Sequence, residues 1–248
     1  MTEIIQKTAK KTIYREGKTL VKLFDSSFPK SDVLNEALNI ARVEECTGLN
    51  VPAVQEVTKI NGNWAIIMDY VEGKTMQQIM DGDPANAQAV LEEFVDLQVE
   101  VLNQKVPLLT KLKDKMQRKI SATTFDRTTR YDLHMLVESM PSHDKLCHGD
   151  FRPDNIIVGT DGRKFILDWA HATQGNARCD AARTYLTFRL EGKDPVAEEY
   201  LLLFCEKTGI AKNLVQGAMP IVAASQTLKA VPEEQALLES WVNVVNYE

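Results

Sequence analysis

His148-Gly149-Asp150-Phe151-Arg152-Pro153-Asp154-Asn155, running directly into Ile156-Ile157-Val158, is the stretch on which the reading of this chain turns. Asp150 and Asn155 stand five positions apart on one short loop, so one can face a nucleophile while the other faces a metal. A second segment, Phe165-Ile166-Leu167-Asp168-Trp169, is an apolar run ending in a carboxylate, which can offer a hard oxygen ligand. Thr160-Asp161-Gly162 between the two apolar runs reads as the turn of a hairpin. A rigid hairpin sets the spacing of the two loops. Phosphoryl transfer needs such a set: a carboxylate near the attacking hydroxyl and oxygen ligands for Mg²⁺.

Upstream, residues 8 to 24 read as two strands, with Glu16-Gly17-Lys18 as the turn and Leu20-Val21-Lys22-Leu23-Phe24 as the second strand. A helix follows, with Ser31 as its N-cap and Leu34, Ala37, Leu38 and Ala41 at helical spacing. Val54 to Ile60 and Trp64 to Tyr70 read as two more strands around Asn61-Gly62-Asn63. Beyond Glu72-Gly73 the texture becomes helical. Ala87, Val90, Leu91, Phe94, Val101 and Leu102 mark a long amphipathic helix, and residues 127 to 140 another. Near the C-terminal end, Asp194 as N-cap, Pro195 in the first turn and Gly209 past the end punctuate a further helix. The expected fold class is therefore α+β: a small N-terminal β-rich lobe, then a larger, mainly helical C-terminal lobe.

The octet HGDxxxxN, a hydrophobic strand, and a second strand ending in Ile-x-Asp-Trp together resemble the aminoglycoside phosphotransferase family, and through it choline kinase and the protein kinases. The resemblance implies a protein kinase-like fold, with a nucleotide-binding lobe over residues 1–72, a hinge near 69–73, and a catalytic and substrate-binding lobe over 73–248. It implies Asp150 as catalytic base, Asn155 as a metal ligand and Asp168 as the principal metal ligand. Lys22 falls where the family places its phosphate-binding strand lysine, and Glu36 where it places the glutamate that pairs with that lysine. Ile66 to Gly73 resembles the last strand of the first lobe and the hinge. There the backbone of Asp69, Tyr70 and Val71 would meet adenine, with Met68 at the pocket's border. Asp180 resembles the family's structural aspartate that braces the catalytic loop, and His171 reads as loop packing. The implied ligands are ATP, with GTP as an alternative, and Mg²⁺. The implied reaction is transfer of the γ-phosphoryl group to a hydroxyl of a small molecule that is aminoglycoside-like, choline-like or a sugar alcohol. A nucleotide-binding regulatory pseudokinase is the alternative.

Two positions depart from the family pattern. The nucleotide-covering loop, expected near Lys7-Thr8-Ala9-Lys10, has no glycine to let backbone N–H groups approach phosphate. Arg152 stands two residues after the catalytic aspartate. It can stabilise charge on the transferred phosphoryl group, or pair with Asp154 or another carboxylate. Gly17-Lys18-Thr19 and Gly73-Lys74-Thr75 look like P-loop endings but lack the upstream glycine, which is Thr12 in one case and Met68 in the other.

Composition narrows the partners. A formal charge of -6 disfavours nucleic acid. No run approaches the ~20 apolar residues of a membrane span, and the N-terminus lacks the apolar core of a signal peptide, so the expectation is a cytoplasmic protein. Cys46, Cys147, Cys179 and Cys205 have no metal-ligand spacing and read as reduced thiols. The run Lys111, Lys113, Lys115, Arg118 and Lys119 is broken by Asp114 and reads as a solvated face. From Glu191 to Glu248 nine carboxylates stand against four lysines. That excess suits a polyamine-like acceptor or plain solubility. The oligomeric state is not encoded in any of these features.

Overall fold

A computed structural model describes residues 2–242; Met1 and residues 243–248, which the expected lobe boundaries include, lie outside the described residues. The chain runs β1 (Thr2–Lys7), β2 (Lys11–Glu16), β3 (Thr19–Phe24), α1 (Lys30–Cys46), β4 (Val54–Ile60), β5 (Asn63–Asp69), β6 (Gly73–Thr75), α2 (Met76–Gly82), α3 (Ala87–Leu102), α4 (Leu112–Ser121) and α5 (Arg127–Ser139). It continues through β7 (Lys145–Cys147), β8 (Ile156–Gly159), β9 (Lys164–Ile166), β10 (Thr173–Gly175), α6 (Ala177–Leu190), α7 (Asp194–Thr208), α8 (Lys212–Gln216), α9 (Met219–Thr227) and α10 (Pro232–Val242). No helix among the described residues is long and apolar enough to cross a membrane.

The chain groups into two compact units. Among the described residues, the first takes those up to Pro84 and returns for Pro153–His171; the second takes Ala85–Arg152 and those from Ala172 onward. This grouping differs from a single cut after residue 72, because the segment carrying Asn155 and Asp168 folds with the N-terminal elements. The reason is local pairing. β6 pairs with β8 and β8 with β9 in a three-stranded sheet. Gly73 lies so close to β8 that a Cβ there would meet the Val158 carbonyl oxygen at 2.1 Å. The Ile166 N–H donates to the Asn50 carbonyl at 3.0 Å, and Asn39 Nδ2 donates to the Trp169 carbonyl at 3.2 Å.

The first unit is built on a five-stranded antiparallel sheet in the order β1-β2-β3-β5-β4. α1 packs on the β4 and β5 side of the sheet and buries Val33, Ala37, Ile40 and Val43. The expected apolar face is thus shifted: Leu34 and Leu38 are exposed, 41% and 47%. Ser31 lies inside the helix, whose cap position is Pro29 without a side-chain cap bond. Asp194 likewise is the first helical residue of α7, with Lys193 at the cap, while Gly209 closes the helix in the left-handed region as expected.

The second unit is helical around an aromatic core. Phe94 of α3 meets Phe151 at 4.9 Å, Phe188 of α6 at 6.1 Å and Tyr200 of α7 at 6.1 Å between ring centroids. The short pair β7 and β10 runs antiparallel, joining Lys145 with Gly175 and Cys147 with Thr173. The thiols divide by depth. Cys147 and Cys179 are buried, Cys205 is half-buried and Cys46 is exposed.

Candidate active site

In the first unit, three of the expected site residues come together. β3 points Lys22 into the interior, 5% exposed. Its Nζ donates to Glu36 Oε1 of α1 at 2.5 Å and to Asp168 Oδ1 at 3.1 Å. Burial works against the Lys22 ammonium, but the two carboxylates outweigh it and hold its pKa above the ordinary value. Burial pushes the Glu36 carboxyl up, with Lys22 opposing. Lys22 is therefore the firmly charged member of the array. A second cation, not foreseen, stands nearby: Lys11 Nζ of β2 lies 3.5 Å from Asp168 Oδ2.

Asp168 adopts φ 59°, in the left-handed region that a non-glycine residue occupies only at a cost. Its neighbour Leu167 donates its N–H to the Asn155 carbonyl at 2.8 Å, which ties the two loops together. Asn155 ends a 3-10 turn over Pro153–Asn155. A site for Mg²⁺ needs only one or two protein oxygens, because phosphate and water complete the shell. An Asp168 carboxylate and an Asn155 amide oxygen on loops tied at this point fit that requirement. No group of three or more His, Cys, Asp or Glu side chains suited to a metal occurs among the described residues.

The segment expected as the hinge lies inside the first unit and is partly committed. The Asp69 N–H donates to the Ala53 carbonyl and the Tyr70 N–H to the Lys18 carbonyl, both at 3.0 Å. A ligand reading this edge would meet the Asp69 carbonyl and the Val71 backbone instead. Met68 is buried between Leu20 and Val54, its partners on β3 and β4. Tyr70 carries the Arg15 guanidinium 4.1 Å over its ring. The glycine-free turn after β1 is closed by Thr8, whose Oγ1 accepts from the Lys10 and Lys11 N–H groups at 3.3 and 3.1 Å. Those N–H groups are thereby satisfied within the turn.

In the second unit, the loop carrying Asp150 is held from beneath by a buried polar network. Gly149, at φ 80°, aims its N–H at Asp180 Oδ1, 2.7 Å away. Gln98 Nε2 donates to Asp180 Oδ2 and Thr184 Oγ1, both at 3.2 Å, and Tyr200 donates its hydroxyl to Gln98 Oε1 at 2.7 Å. Thr184 in turn donates to the Phe151 carbonyl at 2.8 Å. Burial pushes the Asp180 carboxyl up, with the Gly149 N–H opposing. Asp180 thus sits where its resemblance to a bracing aspartate placed it. Gln98, Thr184 and Tyr200 were not foreseen, since each reads as one more residue of an amphipathic helix.

Asp150 itself accepts from Arg183 Nη2 of α6 at 3.0 Å. Arg152 turns instead to Glu191 at the end of α6, with Nη2 3.1 Å from Oε1. Of the two roles weighed for Arg152, ion pairing is the one with a contact, and the partner is Glu191. The cation on Asp150 is Arg183, whose sequence signal is only its place three residues after Asp180.

A model of the phosphotransferase enzyme family matches residues 6–212. No curated protein matches the sequence. Solved structures do. A thermostable mutant of aminoglycoside phosphotransferase APH(4)-Ia, in ternary complex with AMP-PNP and hygromycin B, superposes with a TM-score of 0.72 at 12% identity, covering 98% of this chain and 92% of that one. Choline kinase LicA from Streptococcus pneumoniae gives 0.66 at 12% identity, covering 98% and 94%. The GDP complex of aminoglycoside 2'-phosphotransferase-IIIa gives 0.60 at 16% identity, covering 98% and 89%. At these identities the likeness establishes the fold, which is the protein kinase-like one expected.

Proposed function

The chain belongs to the phosphotransferase enzyme family, and from that premise we propose that it moves the γ-phosphoryl group of ATP, or alternatively GTP, to a hydroxyl of a small molecule. The observation that carries the reading is the buried pair Lys22 and Glu36 joined to the half-buried Asp168. Ionisable groups taken out of water, as Lys22 and Glu36 are, contribute little to stability for their desolvation. Arrays of this kind gather where chemistry needs them.

The residues divide the work. Lys22, oriented by Glu36, grips the α- and β-phosphates, and the strand edge at Met68, Asp69, Tyr70 and Val71 receives the base. Asp168 and Asn155 would hold Mg²⁺, which would offset charge on the phosphate oxygens. Asp150 accepts the proton as the acceptor's O–H bond breaks. A bond forms from that oxygen to the γ-phosphorus, and the bond from phosphorus to the β,γ-bridging oxygen breaks, releasing ADP. Arg183 fixes one carboxylate oxygen of Asp150 and so orients the other. The nucleotide set lies on the unit that includes residues 153–171, and the base on the unit that begins at Ala85.

The alternative, a nucleotide-binding regulator without transfer activity, draws on one observation: the Thr8-closed turn keeps its N–H groups from phosphate. ADP release measured across an acceptor panel, with wild type and Asp150→Asn, decides between them. The expected result is turnover that falls by at least ~100-fold in the variant, the share general-base catalysis contributes, while the thermal shift with ATP and Mg²⁺ is kept. A variant as active as wild type overturns the assignment of the base. Nucleotide binding without turnover on any acceptor favours the regulator.

A further inference from the structure

Lys11 shares a carboxylate with Lys22 inside the first unit. The two lysines divide the oxygens of Asp168: Lys22 Nζ lies 3.1 Å from Oδ1, and Lys11 Nζ lies 3.5 Å from Oδ2. Strand register explains how they converge. Across β2 and β3, Lys11 pairs with Phe24 and Ile13 with Lys22. Directly opposite residues share a face, and so do residues two apart on one strand. Lys11 and Lys22 are therefore diagonal neighbours on one face of the sheet, and Asp168 meets both.

The turn that leads into Lys11 commits its backbone to itself. The Thr8 N–H donates to the Lys11 carbonyl at 2.9 Å, and the Lys10 and Lys11 N–H groups donate to Thr8 Oγ1 at 3.3 and 3.1 Å. Phosphate held by a turn depends on such N–H groups. A side-chain donor stands at the end of the same turn, the Lys11 ammonium. Lys11 and Asp168 are both half-buried, and a partly exposed ion pair at 3.5 Å adds little to stability. Holding the sheet together is thus a poor account of why a lysine stands there.

Charge points to phosphate. Lys11 and Lys22 face Glu36 and Asp168, two charges of each sign. A divalent cation added at Asp168 is repelled by both ammonium groups unless polyphosphate arrives with it. Oxygens that share an octahedral ion are neighbours. Phosphate oxygens on an ion at Asp168 would therefore come beside Lys11 as well as Lys22.

We infer that Lys11 is a second phosphate-binding residue, whose ammonium takes an oxygen of the donor's β- or γ-phosphate. A side chain then does here what a glycine-rich turn does with its backbone. The inference deepens the proposed kinase reading and rests on the site of Lys22 and Asp168 binding a nucleoside triphosphate. It also accounts for how a chain with a Thr8-closed turn can still grip that triphosphate.

The test is calorimetric titration of the full chain with AMP-PNP and Mg²⁺, and separately with AMP, which has neither a β- nor a γ-phosphate. In Lys11→Met the Kd for AMP-PNP should rise about 10-fold, the size of one charge-assisted hydrogen bond, while the Kd for AMP stays within about twofold of wild type. Lys11→Arg, which keeps the charge, should recover most of the lost affinity. Lys11→Gln provides the same reading should Lys11→Met fail to fold. A Kd for AMP-PNP unchanged in the folded variants overturns the inference. So does an equal loss for AMP, which would trace the effect to a disturbed sheet, and so does a Lys11→Arg variant as weak as Lys11→Met. Wild type that binds neither AMP-PNP nor AMP overturns the kinase reading, and this inference with it. Wild type that binds AMP-PNP as tightly as its Lys11 variants overturns this inference alone.

Discussion

Asp168 shows how a single residue combines strain and chemistry. A non-glycine residue in the left-handed region costs roughly 1–3 kcal/mol and persists where its surroundings hold it. Here a carboxylate facing Lys22 and Lys11 occupies that conformation. Asn tolerates the left-handed region better than most residues, so Asp168→Asn should leave the melting temperature within a few degrees of wild type. Without the charge, the Mg²⁺-dependent part of the ATP thermal shift should vanish. A variant that keeps the shift would remove Asp168 from the metal site. At this scale the sequence was informative. Lys22, Asp150, Asn155 and Asp168 each sit in a short motif whose neighbours announce it, and Glu36 follows from the strand before it. Arg183, Lys11 and Lys119 were not visible, because a cation three residues along a helix or at the start of a strand looks the same whether it faces water or a carboxylate.

Among the elements, the contact between β6 and β8 is the one with least tolerance. A Cβ at Gly73 would collide with the Val158 carbonyl oxygen and the Ile157 side chain. Gly73→Ala should therefore destabilise the protein by more than about 1 kcal/mol. Gly82→Ala, at the end of α2 with nothing within 4 Å, should be neutral or stabilising by up to about 1 kcal/mol. Thermal unfolding of the two variants side by side reads the difference.

The network under the Asp150 loop has a similar dependence on one atom. Tyr200→Phe removes the donor to Gln98 and leaves a buried oxygen unpaired, at a cost of about 1–3 kcal/mol. Amide exchange at Gly149 should quicken if that loss loosens Asp180, and an unchanged rate would show that the brace does not need its far end.

Strands β2 to β5 and helices α3, α5 and α7 were legible because their apolar residues recur at the period of the element. β1 was not, since every one of its residues is exposed and no alternation marks it. α4 was hidden by its own charges. Its run of lysines reads as a wet surface until the structure places Lys115 and Lys119 beside the buried Leu112, Met116 and Ile120.

For the whole molecule, a net charge of -6 describes no particular region of it. The second unit sets Arg183 on Asp150 and half-buries Lys115 and Lys119 on α4 while the chain as a whole is acidic, and only the fold separates the two. One consequence is a pH dependence with a definite sign. Lys115 has its folded pKa depressed to about 7 from an ordinary 10.5, by burial and by Lys119, Lys229 and Arg118, with Asp180 opposing. Between those values the unfolded chain holds a proton that the folded chain has lost, so this residue favours the fold increasingly as pH rises and costs most below pH 7. Lys115→Met should accordingly be more stable than wild type at pH 6.5, by about 1 kcal/mol or more and about 2–4 °C in Tm. The difference should shrink toward zero near pH 10. A difference that does not change with pH would mean that Lys115 is not charged against its surroundings.

The thiols offer a practical handle. Burial raises Cys147 well above the ordinary thiol range, Cys179 to about 12, and Cys205 to a lesser degree. Reagents that attack thiolates will find these three slow, while Cys46, exposed as the last residue of α1, lies in the open. A brief treatment with a maleimide dye should therefore attach one fluorophore, on the same helix that carries Glu36. An optical probe would then ride on the element that steadies Lys22, and nucleotide titrations could be followed by its emission without altering a single codon.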